Sequence, residues 1–193
     1  MRVDLNLWFR LSEAAWVVFL LYWFISARKL KASKKRENSG GRLLQIAFMA
    51  AAYVLMFSDG LNHGWLGTRF LPVWAGMGEL GATVTAVGIA LAIWARWHLG
   101  ENWSAMVTLK EGHELIRSGP YRRIRHPIYT GMLVAFAGTA MALGEYRGLI
   151  ALGVALANFY FKARKEERFL TQEFGKRFEE HAKHTGMFLP KLT

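Results

Sequence analysis

The chain has 193 residues, 53% of them apolar and 14% aromatic, and contains no cysteine. Disulfide frameworks, thiolate zinc sites and catalytic thiols are thereby excluded, and apolar residues gathered into blocks between charged stretches do not make a single soluble core. The formal net charge of +11 admits nucleic acid, an anionic membrane surface or acidic ligands, and the placement of the charges decides among them.

The first apolar block, Leu11 to Ala27, is almost unbroken and approaches the ~20 residues that cross a bilayer core. Trp16 and Trp23 lie near its ends, where amphipathic rings favour the interface. A signal peptide is the rival reading, but no A-x-A cleavage site is present and the basic run follows the block instead of preceding it. The second block is Leu43 to Phe57. The third runs from about Phe70 to Trp97, with Pro72 near its start. Within it, Gly76-Met77-Gly78-Glu79-Leu80-Gly81 fits the G-x-G-x-x-G pattern of dinucleotide sites. That pattern carries meaning only after a strand, so inside a membrane helix it is a decoy. Glu79 is costly at membrane depth and either faces a cavity or partner or lies near the outer interface.

The fourth block, Tyr129 to Leu143, and the fifth, Leu149 to Phe161, are joined by Gly144 to Gly148, a connection suited to an antiparallel helical hairpin. The short pair span a bilayer if flanking residues extend each helix. Gly131/Ala135, Gly138/Ala142 and Gly153/Ala157 are small residues spaced by four, read here as plain helix packing.

Charge placement sets the topology. With the N-terminus outside and five spans, the inner segments hold 21 of the 25 Lys and Arg residues, leaving only Arg2, Arg10, Arg69 and Arg147 outside. Retention of positive residues on the cytoplasmic face produces this asymmetry. The expected architecture is an all-α polytopic membrane protein with five spans, a cytoplasmic C-terminus and the fourth and fifth helices in a tight hairpin. Residues 1–98 supply three spans and a basic cytoplasmic loop. Residues 99–193 form the catalytic part with an amphipathic tail helix. The same placement removes nucleic acid as a partner, because the basic residues are juxtamembrane. The Arg28–Arg42 run is a retention signal in contact with anionic lipid.

Two polar stretches carry candidate chemistry. Residues 99–129 are too polar to span; Gly112 and Gly119-Pro120 mark turns, and Arg122, Arg123, Arg125 and His126 crowd the mouth of the fourth helix. Pro127 sits in that helix's first turn, and His126 and Tyr129, three apart, can share a face. On spacing alone the better reading of this stretch is a juxtamembrane basic cluster touching lipid headgroups. In the second stretch Lys162 and Glu166, four apart, share one face just beyond the fifth span. The hairpin returns them to the side that holds His126 and Tyr129, where a water-excluded pocket would suit an amphipathic ligand. His181 and His184, three apart, have no third metal ligand nearby and read as surface histidines.

At these stretches the sequence resembles the isoprenylcysteine carboxyl methyltransferase family of integral-membrane enzymes. The matching elements are Gly100-Glu101-Asn102-Trp103-Ser104, His113-Glu114-Leu115-Ile116, Ser118-Gly119-Pro120-Tyr121, Arg125-His126-Pro127-Ile128-Tyr129, Glu166-Glu167, Phe174-Gly175 and Leu189-Pro190, over roughly residues 99–190. The resemblance implies an S-adenosylmethionine pocket lined by His113, Glu114, Leu115, Ile116, Tyr121, His126, Pro127, Ile128, Tyr129 and Glu166. It also implies that Lys162 or Arg164 orients an anionic, lipophilic methyl acceptor such as a prenylcysteine. The family often has arginine where this chain has Lys162, a point charge without the bidentate fork. Met106 stands where some eukaryotic relatives carry a polar residue. The rivals are a phospholipid or small-thiol methyltransferase, an NADPH-dependent sterol-type reductase, and a scaffold without chemistry. The expected location is a multi-pass position in the inner membrane of a prokaryote or the endoplasmic reticulum of a eukaryote, with the lipid bilayer as partner.

Overall fold

The computed structural model describes residues 5–26, 33–35, 39–72, 75–100, 109–110 and 115–191. Six α-helices are seen among them: α1 (Leu5–Ser26), α2 (Ser39–Phe57), α3 (Ala75–Leu99), α4 (Pro127–Leu143), α5 (Tyr146–Phe174) and α6 (Lys176–His184). A short antiparallel pair, β1 (Ser33–Lys35) with β2 (Leu109–Lys110), ties the connection after α1 to the segment after α3, Ser33 opposite Lys110. Both of these basic connections therefore lie at one end of the bundle.

Helix α4 is the central element, packed by α3, α5 and α1, while α2 lies against α5 and α1 against α3. Small residues set that order. A Cβ added to Gly131 would lie 2.6 Å from the backbone nitrogen of Ala92, and one on Gly81 2.5 Å from that of Ala142. The α3 and α4 backbones are thus in direct contact, as closely spaced glycines permit. Thr85 and Thr139 meet across the seam at 3.1 Å, and Trp16 Nε1 of α1 donates to Thr139 Oγ1 at 2.9 Å. In this low-dielectric interior each hydroxyl needs such a partner. Trp16 also packs edge-on against Phe136, with Tyr53 of α2 beside it.

The helix pair in closest approach is therefore α3–α4. The turn between α4 and α5 is tight, as the hairpin expectation requires, with Gly144 at φ +70 in the left-handed region that ends helices. The G-x-G-x-x-G run serves this packing: Gly78 accommodates Trp8 and Gly81 meets α4. Glu79 between them is exposed. Gly153 departs from the packing role expected of it, because it is exposed with open space around it. It is rotated off the buried stripe of α5 that carries Ala151, Ala155 and Phe159.

At the far end, residues 58–72 fold as turns over the hairpin instead of lengthening α3. Arg69 donates to the carbonyl of Leu143 at 2.9 Å, and Arg147 donates to Glu145 at 2.6 Å and to the Ser58 carbonyl at 2.7 Å. Two helices, α1 and α3, are long and apolar enough to cross a membrane; the apolar runs Gly41–Phe57 and Pro127–Leu143 are shorter. Val17, Val18, Leu21 and Phe24 of α1, and Leu43, Leu44 and Val54 of α2, are exposed, a greasy surface of the kind that marks a membrane or protein contact. Helix α5 runs on well past its apolar part, so the Lys162–Glu167 segment belongs to the same rigid rod as the span-like half.

Candidate active site

His126 caps the N-terminus of α4, and Pro127 occupies the first helical position, where its missing N–H leaves no donor unsatisfied. Because α5 runs antiparallel to α4, its polar half arrives beside this cap. The result is one compact cluster. Tyr129 Oη donates to Glu166 Oε1 at 2.6 Å. His126 Nδ1 lies 3.4 Å from Glu166 Oε2, and Nε2 lies 3.4 Å from Glu167 Oε1 without an aligned hydrogen bond. The rings of His126 and Tyr129 stack at 5.4 Å, Phe159 of α5 stacks behind Tyr129 at 4.9 Å, and Lys162 Nζ sits 5.5 Å from the Tyr129 ring centroid. The His126 side chain is only 6% exposed, against 22% for Glu166.

Electrostatics follow from that enclosure. Burial by itself would drive the proton off His126, but Glu166 and Glu167 outweigh it and raise its pKa above the ordinary imidazole value. Burial likewise opposes ionisation of Glu166, yet His126, Lys162 and Tyr129 hold it below the usual carboxylate range. Glu167 is lowered in the same way by His126 and Arg125 against its own burial. Each group in the cluster thus favours the charged form of its partners, and the Glu166 carboxylate is partly open to a ligand.

The C-terminal segment closes one side of this cluster. Arg125 N–H donates to the Gly186 carbonyl at 2.9 Å, His126 N–H to that of Met187 at 3.1 Å, and Thr130 Oγ1 to that of Phe188 at 2.7 Å. The Arg125 guanidinium donates to Glu167 at 2.6 Å, to the Ala182 carbonyl at 3.3 Å and to the Thr185 carbonyl. Arg125 therefore joins α5, α6 and the strap after it into one wall. Reading the residues alone assigned no such task to Arg125, Glu167, Phe159 or residues 185–188. The Glu166-Glu167 doublet was the available signal, because adjacent carboxylates on a helix point to different neighbours.

The other expected residues divide as follows. Pro127 and Ile128 are buried at the base of α4, and Leu115 and Ile116 are half-buried, Ile116 packed on the core. Tyr121 is buried, and its hydroxyl donates to the Ala95 carbonyl at 3.3 Å, which fastens the 119–122 turn to α3. Burial raises its pKa, with Glu166 contributing in the same direction. Arg164 is exposed, two residues from Lys162 and so on the other side of α5. His113, Glu114, Met106 and the Glu101–Ser104 element lie outside the described residues. His184 bonds to Glu180 at 3.1 Å on the surface. His181 has its pKa lowered by burial and by the nearby Arg117 and Arg125. Among the described residues no group of three potential ligands is placed to hold a metal.

A carboxylate held ionised beneath aromatic faces suits a ligand that carries ammonium or sulfonium charge. A model of the phospholipid methyltransferase family matches residues 77–177, a stretch that includes the whole cluster apart from the C-terminal strap. The cobalt-zinc-cadmium resistance protein CzcN of Cupriavidus metallidurans is 29% identical over 86% of this chain and 70% of its own length. Protein-S-isoprenylcysteine O-methyltransferase B of Arabidopsis thaliana is 27% identical over 70% of this chain and 66% of its own length. The solved structure of a eukaryotic intramembrane Ras methyltransferase, ICMT, has a similar fold, with TM-score 0.51 and 20% identity over 80% of this chain and 53% of that one. The chain thus spans about half to seven-tenths of the length of these proteins. With this family match over half its length, and isoprenylcysteine methyltransferases among its relatives, the chain belongs to the phospholipid methyltransferase family.

Proposed function

We propose that the protein is an S-adenosylmethionine-dependent methyltransferase that esterifies a lipophilic carboxylate, similar to the isoprenylcysteine carboxyl methyltransferases, at the membrane–cytosol boundary. The observation that carries this reading is the meeting of Glu166 with His126 and Tyr129 across the α4–α5 hairpin. The names of the relatives require a methyl donor, and the residues present fit one. Glu166, with its side chain 22% exposed, offers an anion to the donor's amino group or ribose. Leu115, Ile116, Tyr121, Pro127 and Ile128, with His113 and Glu114, would complete that pocket. When bound, the donor supplies a methyl group already activated on sulfonium.

The protein's own work is then to align and to exclude water. An acceptor carboxylate is already nucleophilic, so no general base is needed. With a sulfonium donor bound, the acceptor oxygen would take the methyl group directly as the carbon–sulfur pair returned to sulfur, so the protein's residues would hold the reactants in line and move no proton. His126 keeps its proton and serves as the fixed counter-charge to Glu166. Lys162 meets the acceptor anion, while Arg164, exposed on the other side of α5, adds only to the general positive field that attracts it.

The membrane reading is five spans with the basic ends of the bundle cytoplasmic. In its support, β1–β2 gathers two of the basic connections at the end where the C-terminal strap also lies, while Arg69 and Arg147 sit at the other. The acceptor would enter laterally from lipid and the donor from the cytosol. A cation at Lys162 disfavours an ammonium acceptor, which weighs against an amino phospholipid and leaves a thiolate as the rival. The test is transfer from labelled S-adenosylmethionine to a farnesylcysteine analogue, an amino phospholipid and an alkyl thiol. A base-labile methyl ester on the first supports the reading. Label in the thiol or lipid alone, or binding of NADPH in place of the sulfonium donor, overturns it.

A further inference from the structure

Asn158 interrupts an otherwise greasy half of α5. It is the one side-chain amide between Leu149 and Phe161, and it is 7% exposed. Its carboxamide makes no hydrogen bond with any described residue, a state that costs several kcal/mol in an apolar interior unless something else satisfies it. The fully enclosed polar atoms without an aligned bond include Tyr53 Oη and His126 Nε2, but neither amide atom of Asn158. What remains of its exposure therefore includes the amide itself, which faces an accessible gap.

Its place on the helix says which gap. Asn158, Lys162 and Glu166 follow one another at intervals of four and share one face of α5, each step about 6 Å along the axis. The neighbouring Phe159 stacks on Tyr129, and Lys162 Nζ lies over the other side-chain of that pair, 5.5 Å from the Tyr129 ring. Helical side chains lean toward the helix N-terminus, so the Lys162 stem leans toward Asn158. The amide and the ammonium thus address the same volume from adjacent turns, on the membrane side of Glu166.

We propose that Asn158 is an acceptor-binding residue. Its amide N–H donates to one oxygen of the acceptor carboxylate while Lys162 holds the other. The pair does the work of an arginine fork: a lysine alone fixes charge but not orientation, and the amide supplies the second point that aligns one oxygen with the methyl carbon. The inference rests on the carboxylate reading above and sharpens it. A two-oxygen anion gives the buried amide an acceptor oxygen while the other faces Lys162, whereas a thiolate offers no second oxygen and leaves the Asn158 amide unmet, a strong basis for rejecting an analogue.

The test uses the full chain in nanodiscs with S-farnesylthioacetic acid and its methyl ester as probes. Binding is read by calorimetry and methyl transfer by labelled donor. The wild type is expected to bind the acid more tightly than the ester. Asn158→Leu should weaken the acid roughly ten- to hundredfold and raise its KM alike, with the ester and the donor affinity unchanged. Lys162→Arg added to Asn158→Leu should restore most of the loss, because the guanidinium brings its own second donor. The proposal is overturned if Asn158→Leu leaves the acid within twofold, if donor affinity falls in parallel, or if arginine gives no rescue in a variant whose melting temperature is unchanged. Preference for the acid that depends on Asn158, without any methyl transfer, would leave the cradle standing and remove the enzymatic reading instead.

Discussion

The imidazole of His126 lies parallel to the phenol of Tyr129, centroids 5.4 Å apart and planes within 6°, and both side chains converge on Glu166. The stack fixes where the Glu166 carboxylate points. Tyr129→Phe keeps the ring and removes only the hydroxyl donor. Loss of one hydrogen bond to a charged group costs about 1.5–3 kcal/mol, so donor affinity should fall roughly ten- to hundredfold while the protein stays folded. Titration calorimetry with S-adenosylmethionine checks this; unchanged affinity would detach Tyr129 from donor binding.

The charge state of the cluster gives a pH profile. His126 is raised, so its contribution is complete below the ordinary imidazole value of about 6.5 and disappears as pH climbs through its elevated folded value. Glu166 and Glu167 are lowered, so theirs is complete above about 4.3 and disappears as pH drops through their depressed values. Donor binding should therefore hold a plateau across both ordinary values. In His126→Gln the alkaline limb should vanish and the overall affinity should drop; an alkaline limb that survives would belong to another group.

Arg125 and Glu167, each 14% exposed at the side chain, are bonded at 2.6 Å, and Arg125 also holds the strap through the carbonyls of Ala182 and Thr185. Glu167→Gln weakens the α5 side of that junction by about 1.5–3 kcal/mol. For a chain of this size the melting temperature in detergent should fall by roughly 3–10 °C. Protease cleavage should increase first in residues 176–191. A melt indistinguishable from wild type would show that the strap is held by its backbone bonds alone.

Helix packing supplies a contrast between two glycines. Gly88→Ala places a methyl against the Ala135 backbone, whereas Gly153→Ala meets open space. The first should destabilise by about 1–3 kcal/mol or more. The second should leave stability unchanged or slightly improved, since alanine is the better helix former. Thermal melts of the two purified variants decide it, and equal stability would mean that the α3–α4 seam can open without cost.

Much of the scaffold was legible in the residues. Long apolar blocks announce helices, Gly144 marks the turn, and the spacing of His126 with Tyr129, and of Lys162 with Glu166, places each pair on one face before any coordinates are known. Periodicity within one helix is a local property, and it survives folding. The order of packing was not legible in the same way. Gly131, Gly138 and Gly153 carry identical local signals, yet only the first two meet a neighbour, because which face of a helix is covered depends on where the other helices lie.

By itself, then, the sequence determined the helical class, the segregation of basic residues to alternate connections and the two polar stretches able to bear charge-based chemistry. These follow from hydropathy and short-range spacing. Only the tertiary structure decided that Arg125 and residues 185–188 brace the site, that Glu167 shares His126 with Glu166, and that Asn158, one turn from Lys162, is buried without a hydrogen bond to any described residue. Each of these joins residues that are remote in the chain or on separate elements. Such contacts are selected by which helix faces pack together, and no period in a single segment encodes that.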